Sequence, residues 1–285
     1  MKKASALTDH PLSRWIRGDR LPFVYCSGCT IGSTMACLAR ALQATVEQND
    51  KVVIVSGIGC TGRASGYFNV GSFHTTHGRP IPFATGVKMA RPELDVIVFS
   101  GDGDLVAIGG NHLIHAARRN IGITIICVNN FIYGMTGGQM APTTPTGDVQ
   151  TQSTPYGNRE RTFNLVGLAA AAGASYVARW TALHQVRMEA SMTRAIQHAR
   201  RKGTAFIEVV SACPTYFGKY NAMGDSVAML KTLENISEAI EPLSVPPSEA
   251  VSDLSRIVCG EFVENDTLEY TKAYDEIIKL AGQCL

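Results

Sequence analysis

Net charge is almost missing from this 285-residue sequence: 26 Lys and Arg stand against 24 Asp and Glu, leaving +2 at pH 7. A nucleic-acid or membrane-surface role therefore has no electrostatic support. Long apolar runs are missing too. The longer ones, such as Ile123 to Val128, stop well short of a membrane span. No apolar stretch follows the basic start Met1-Lys2-Lys3, so no secretory signal is expected. Internal repeats and low-complexity tracts are also lacking. With 45% hydrophobic and 18% charged residues, the composition is that of a globular chain with a sizeable core and no sign of disorder. A core of that size needs no disulfides. The cytoplasm is the default compartment, so the cysteines are expected to be metal ligands or core residues.

The runs that are present are short and rich in β-branched residues: Val52 to Ser56, Val96 to Ser100, Ile123 to Asn129 and Phe206 to Val210. Each is continuous rather than alternating, which suits strands buried on both faces. Helical patterns lie between them, over Thr30 to Glu47, Leu105 to Arg119, Phe163 to Ala172 and Leu183 to Arg201. Strands alternating with helices predict a doubly wound, mostly parallel α/β sheet with helices on both faces. Residues 133–158, rich in Gly, Pro and Thr, read as a long functional loop after a strand end. The expected organisation is a main domain over 1–234, then a tail over 235–285. The tail would hold a polar linker with Pro246 and Pro247 and one helix around Tyr270 to Leu280.

The most informative words are Gly101-Asp102-Gly103-Asp104 and Asn129-Asn130. Each ends an apolar strand, and the helix between them brings both ends to one rim. The Asp102 carboxylate and the Asn130 amide oxygen, with the Ile132 carbonyl, are hard oxygen donors of the kind Mg²⁺ prefers. Gly103 allows phosphate to approach the backbone, and the helix start offers free N–H groups. Taken alone, Gly-Asp-Gly is an ordinary strand–helix turn; the downstream Asn pair turns the reading toward a cation-held diphosphate. A nicotinamide site would instead want Gly-x-Gly-x-x-Gly, and an acid between the glycines would repel a bare pyrophosphate.

Four cysteines group by position. Cys26 and Cys29 form one Cys-x-x-Cys, while Cys60 and Cys213 fall just beyond strand ends on the same rim. A disulfide pair is disfavoured in this compartment. A structural zinc site usually shows two tight knuckles, whereas an iron–sulfur cluster accepts scattered thiolates. Spacing alone leaves zinc and cluster equally open. Cys37 and Cys127 read as core residues, and Cys259 and Cys284 have no evident partner.

Gly101-Asp102-Gly103 through Asn130 resembles the thiamine-diphosphate motif of transketolase-like and decarboxylase enzymes. Tyr133-Gly-Met-Thr-Gly-Gly-Gln139, Pro142-Thr-Thr-Pro-Thr-Gly147, Tyr25-Cys-Ser-Gly-Cys29 and Ile58-Gly-Cys60 resemble the β subunits of 2-oxoacid:ferredoxin oxidoreductases. That resemblance implies a [4Fe–4S] cluster on Cys26, Cys29, Cys60 and Cys213, and Mg²⁺ on Asp102, Asn130 and the Ile132 carbonyl. It implies that thiamine diphosphate is lined by Gly101, Gly103, Asp104, Gly134 and Met135, with Ile58, Gly59, Cys60 and Thr61 meeting it from the first strand end. His77, and Thr85 in an Ala-Thr-Gly turn, are further candidates, although a lone histidine is more often structural.

The implied reaction is oxidative decarboxylation of a 2-oxoacid with coenzyme A, electrons passing through the cluster to ferredoxin. The reverse carboxylation is compatible with the same resemblance. The cofactor-activating Glu would come from a partner α subunit in an αβ or (αβ)2 assembly. Ala212-Cys-Pro-Thr-Tyr-Phe-Gly-Lys-Tyr-Asn221 is most similar to the 2-oxoglutarate branch, with pyruvate or a branched-chain 2-oxoacid as substrate, or a cluster-free thiamine-diphosphate decarboxylase or synthase, as alternatives. Arg63 and Lys219 are cations available for a distal carboxylate, although a solvated surface charge is the ordinary state of each.

Overall fold

A computed structural model describes residues 10–283; Met1-Lys2-Lys3 and Cys284 lie outside the described residues. In chain order the elements are α1 (Ile31–Thr45), β1 (Val52–Ser56), α2 (Gly59–Gly62), β2 (Gly71–His74), α3 (Pro80–Ala90), β3 (Asp95–Gly101), α4 (Gly110–Arg119) and β4 (Thr124–Asn129). A small hairpin follows, β5 (Ile132–Tyr133) and β6 (Gln139–Met140). Then come α5 (Leu165–Ala171), β7 (Tyr176–Thr181), α6 (Gln185–Ala199), β8 (Ala205–Val210), α7 (Ser226–Ile236), β9 (Ser237–Ala239), β10 (Ile257–Glu264) and α8 (Tyr270–Gln283).

The β-branched runs form the centre of an eight-stranded sheet, ordered β2-β1-β3-β4-β8-β7-β10-β9. Neighbours from β2 through β7 are all parallel, so their carboxyl ends share one rim. Successive side chains point to opposite faces, and both faces are covered. Ile54, Ile97, Ile126 and Ile207 pack with Leu38 and Leu42 of α1 and Met188 and Ala195 of α6. Val53, Val55, Val98 and Ile125 pack with Ala84 of α3, Leu113 of α4 and Leu165 of α5. Full burial of each such side chain contributes about 1.5–3 kcal/mol, which is why these runs carry no alternating polar residues.

The chain departs from its sequence reading in several places. Residues 80–90 are a helix, started by Pro80, where a turn was expected around Thr85. The helix expected from Leu105 starts at Gly110, after a π-helical turn over Gly103–Ile108. The supposed loop 133–158 contains the β5–β6 hairpin. Strand β7 was not foreseen. Within the supposed linker and helical tail, β9 starts at Ser237 and β10 pairs antiparallel with β7, so this segment extends the main sheet. No helix among the described residues is long and apolar enough to cross a membrane.

Candidate active site

Strand β3 ends at Gly101, and β4 runs beside it in register, Gly101 opposite Val128. The next residues, Asp102 and Asn130, therefore leave neighbouring strand ends. Both line one cavity, together with Gly101, Gly103, Asp104, Ile132, Gly134 and Met135, and with Ile58, Gly59, Cys60 and Thr61 from the end of β1. His77 lines it as well. Gly103 has no room for a side chain, because a Cβ there would overlap the Tyr133 ring.

The two acids of the Gly-Asp-Gly-Asp turn have different tasks. Asp102 is buried, and its side chain accepts from the Thr143 hydroxyl. Burial pushes its carboxyl up to about 7, with the Thr143 hydroxyl and the Gly103 N–H pulling the other way. No basic side chain among the described residues forms a salt bridge with it. Such a group would be stabilised as a carboxylate by an arriving cation. Asp104 borders the same cavity, yet its carboxylate is taken up by the chain. It accepts from the Gly78 N–H at 2.6 Å, the Ile58 N–H at 3.3 Å and the Ser100 hydroxyl at 2.6 Å, and meets His77 Nδ1 at 2.6 Å. Asp104 thus ties the ends of β1 and β3 to the His77-Gly78 loop, and His77 is oriented by it.

The turn after β4 is built as closely. Asn129 Oδ1 accepts from the Phe131 N–H at 3.0 Å, and Asn130 Oδ1 faces the Ile132 N–H at 3.4 Å. Phe131 takes φ 64°, a left-handed conformation, and its carbonyl accepts from the Thr144 hydroxyl at 2.6 Å. The neighbouring hydroxyls of Thr143 and Thr144 therefore clasp both strand ends.

A second cavity abuts the first, sharing Cys60, Asn130, Gly134 and Met135. It is lined by all four grouped cysteines, Cys26, Cys29, Cys60 and Cys213, with Tyr25 and Arg63. Gly134 lies between them and the rim: a Cβ there would sit 3.6 Å from Cys213 Sγ and 3.9 Å from Cys60 Sγ. Burial pushes the Cys29 thiol up to about 12 and Cys60 up to about 11, and the neighbouring sulfurs push the same way. Burial also raises Cys213. Without added positive charge these thiols hold their protons. Among the described residues no three His, Cys, Asp or Glu side chains converge closely enough to hold a single ion. Cys37, Cys127 and Cys259 are buried elsewhere in the core.

Thr85 is not brought to either cavity. Its hydroxyl donates to the Ile81 carbonyl at 2.9 Å inside α3, an ordinary helical back-bond. Lys219 lines neither cavity, whereas Arg63 borders the thiols. Tyr133, Thr136 and Thr143 were overlooked as single residues. The first two line the oxygen cavity, and the third bonds Asp102. All three lie in the Gly/Pro/Thr-rich segment, whose position after a strand end was the available signal.

Residues 57–209 match the family model of the thiamine pyrophosphate enzymes, C-terminal TPP-binding domain. The chain is 47% identical to the 2-oxoglutarate synthase subunit KorB of Methanocaldococcus jannaschii, over 95% of this chain and 98% of that one. It is 53% identical to the KorB subunit of Archaeoglobus fulgidus, over 71% of this chain and 74% of that one. Its fold is similar to a solved 2-oxoglutarate:ferredoxin oxidoreductase from Magnetococcus marinus, described with 2-oxoglutarate, coenzyme A and succinyl-CoA bound. The TM-score is 0.82 at 27% identity, covering 96% of this chain and 92% of that one.

Proposed function

The chain belongs to the thiamine-diphosphate enzymes and, within them, to the KorB subunits of 2-oxoglutarate synthases; from that premise we propose how its two cavities divide the reaction. The oxygen cavity holds thiamine diphosphate through Mg²⁺ on Asp102, Asn130 and the Ile132 carbonyl. The thiol cavity holds one [4Fe–4S] cluster on Cys26, Cys29, Cys60 and Cys213. The protein is then the cofactor-bearing β subunit of a CoA-acylating 2-oxoglutarate:ferredoxin oxidoreductase, with an α subunit as partner and ferredoxin as electron acceptor.

The observation that carries this reading is the shared wall, Cys60, Asn130, Gly134 and Met135, between a cavity of oxygens and a cavity of thiols. The donors fit their guests. Asp102 is a buried acid without a salt-bridge partner among the described residues, Gly103 makes room for the Tyr133 ring at the cavity wall, and burial raises the thiols of Cys29, Cys60 and Cys213, so that positive charge is needed to ionise them. Bound there, thiamine diphosphate supplies a nucleophilic carbon and an electron sink, and the cluster a one-electron acceptor. The chain's own residues do the positioning. Asp104 fixes the rim and orients His77, Tyr133 packs over Gly103, and Gly134 keeps the wall between the two cavities thin. Arg63, beside the thiols, is the cation this chain offers a distal substrate carboxylate.

The cavity is lined by apolar side chains left exposed, Ile58 and Met135, which suits a covering α subunit that contributes the cofactor-activating Glu. The test is to isolate the chain with that partner and measure thiamine, magnesium, iron and sulfide, then rates with 2-oxoglutarate and with pyruvate. Stoichiometric thiamine and four irons per chain, with a preference for 2-oxoglutarate, are expected. Zinc in place of iron, turnover by the chain alone, or a strong pyruvate preference would each overturn the corresponding part.

A further inference from the structure

Glu208 is an acid in the middle of β8, between Ile207 and Val209, and is 0% exposed. Its register partner on β7 is Arg179, also 0% exposed, with Nε 2.7 Å from Glu208 Oε2. The other carboxylate oxygen accepts from Asn129 Nδ2 at 2.8 Å. Asn129 in turn receives the Phe131 N–H and so helps hold the left-handed kink that carries Asn130 and Ile132. Neither Arg179, Glu208 nor Asn129 lines either of the two cavities. At its far end Arg179 donates to the carbonyls of Ala250 and Val251, each at 3.0 Å, and of Val258 at 3.3 Å.

A buried ion pair is weak support for stability, since apolar residues of similar volume often serve as well. This pair has a more specific consequence. A left-handed Phe is strained and persists only where its surroundings over-determine it. Without the Asn129 acceptor the left-handed φ of Phe131 loses one of its supports, the Thr144 bond to its carbonyl remaining; relaxation to a negative φ would swing both the Asn130 side chain and the Ile132 carbonyl. We propose that Arg179, Glu208 and Asn129 form a relay of positioning residues for the cation-binding turn. Through this relay the C-terminal segment around residues 250–258 sets cofactor affinity without touching the cofactor. This rests on Asp102, Asn130 and Ile132 being the Mg²⁺ donors.

The test uses the β chain complexed with its α partner and titrates thiamine diphosphate with Mg²⁺ by calorimetry. The melting temperature of the cofactor-free complex and its iron content are read alongside. The double variant Arg179→Met/Glu208→Leu buries no unpaired charge but strips the Ala250, Val251 and Val258 carbonyls of their donor, so it should melt below the parent while still folding and keeping its iron. Its Kd for the cofactor should rise tenfold to a hundredfold, the usual cost of losing a supporting partner. Asn129→Leu, which leaves the ion pair intact, should show the same rise. Glu208→Gln keeps an acceptor for Asn129 and should lose less affinity than the double variant. Parent-like affinity in either the double variant or Asn129→Leu would overturn the relay, provided that Asp102→Ala, measured in parallel, loses the cofactor. If Asp102→Ala also binds normally, the cation site itself is misassigned and the relay falls with it.

Discussion

The two cavities that meet at Cys60, Asn130, Gly134 and Met135 are finished to different degrees. On the oxygen side the chain supplies nearly every contact: Thr143 to Asp102, four donors to Asp104, Thr144 to the Phe131 carbonyl. The thiol side has few such supports. The Tyr216 and Phe217 N–H groups hold Cys213 down, and the Ile31 N–H does so for Cys29, but burial outweighs both. A preorganised site keeps its shape when empty and binds with little reordering. A site in which burial raises three of the four thiols, Cys29, Cys60 and Cys213, depends on its guest for the charge that ionises them.

Replacing Cys29 with serine strikes at this contrast hardest. Iron and the visible charge-transfer absorption should be lost, and electron transfer to an acceptor should fall to background, while thiamine diphosphate still binds. Loss of cofactor binding together with the iron would show that the oxygen cavity is not independently built. Asp102→Ala is the converse change. Cofactor affinity should fall by more than about a hundredfold, beyond the loss expected for a supporting residue, with iron content unchanged.

The pH dependence follows from the same carboxyl. Its folded value, about 7, lies above the unfolded one, so the empty protein is stabilised by that proton at low pH. The advantage is lost as pH rises from about 4 through 7. Mg²⁺ competes for the deprotonated form, so cofactor affinity should rise across the upper part of that range. Asp102→Asn should flatten the stability profile; an unchanged profile would remove Asp102 as its source.

Thr143→Ala removes the donor to Asp102 and should weaken cofactor binding roughly tenfold, with Thr143→Ser restoring it. The smallest effect is expected at Thr85→Ala. Deleting a hydroxyl back-bonded within α3 should change stability by less than about 1 kcal/mol and leave cofactor affinity alone. A clear loss of affinity would return Thr85 to the site.

What could be read without coordinates had a local cause. Strands β1, β3, β4 and β8 announce themselves because burial on both faces demands unbroken apolar runs, and Glu208 interrupts β8 without hiding it. Strand β7 was missed because Arg179 sits in its middle, and the charge is satisfied by Glu208 on the next strand, by the Asn164 side chain and by carbonyls more than 70 residues away in sequence. β10 was missed for a similar reason. Glu261 is buried only because the Tyr176 hydroxyl bonds it at 2.7 Å and Arg194 pairs with it. Thr85 was misjudged because Ala-Thr-Gly reads as a turn until Pro80 starts a helix beneath it.

The sequence by itself determined the donor types and their places at strand ends, since Gly-Asp-Gly, the Asn pair and the cysteine spacing are short-range chemistry. Tertiary structure alone decided that Asp104 clamps the rim while Asp102 stays available. It also decided that Thr143 and Thr144 brace the ends of β3 and β4 and that a distant C-terminal segment reaches the turn after β4 through Arg179, Glu208 and Asn129. Those outcomes depend on which buried charge finds which partner, and in a sheet the partner comes from whichever strand lies alongside, however far off it is in the chain.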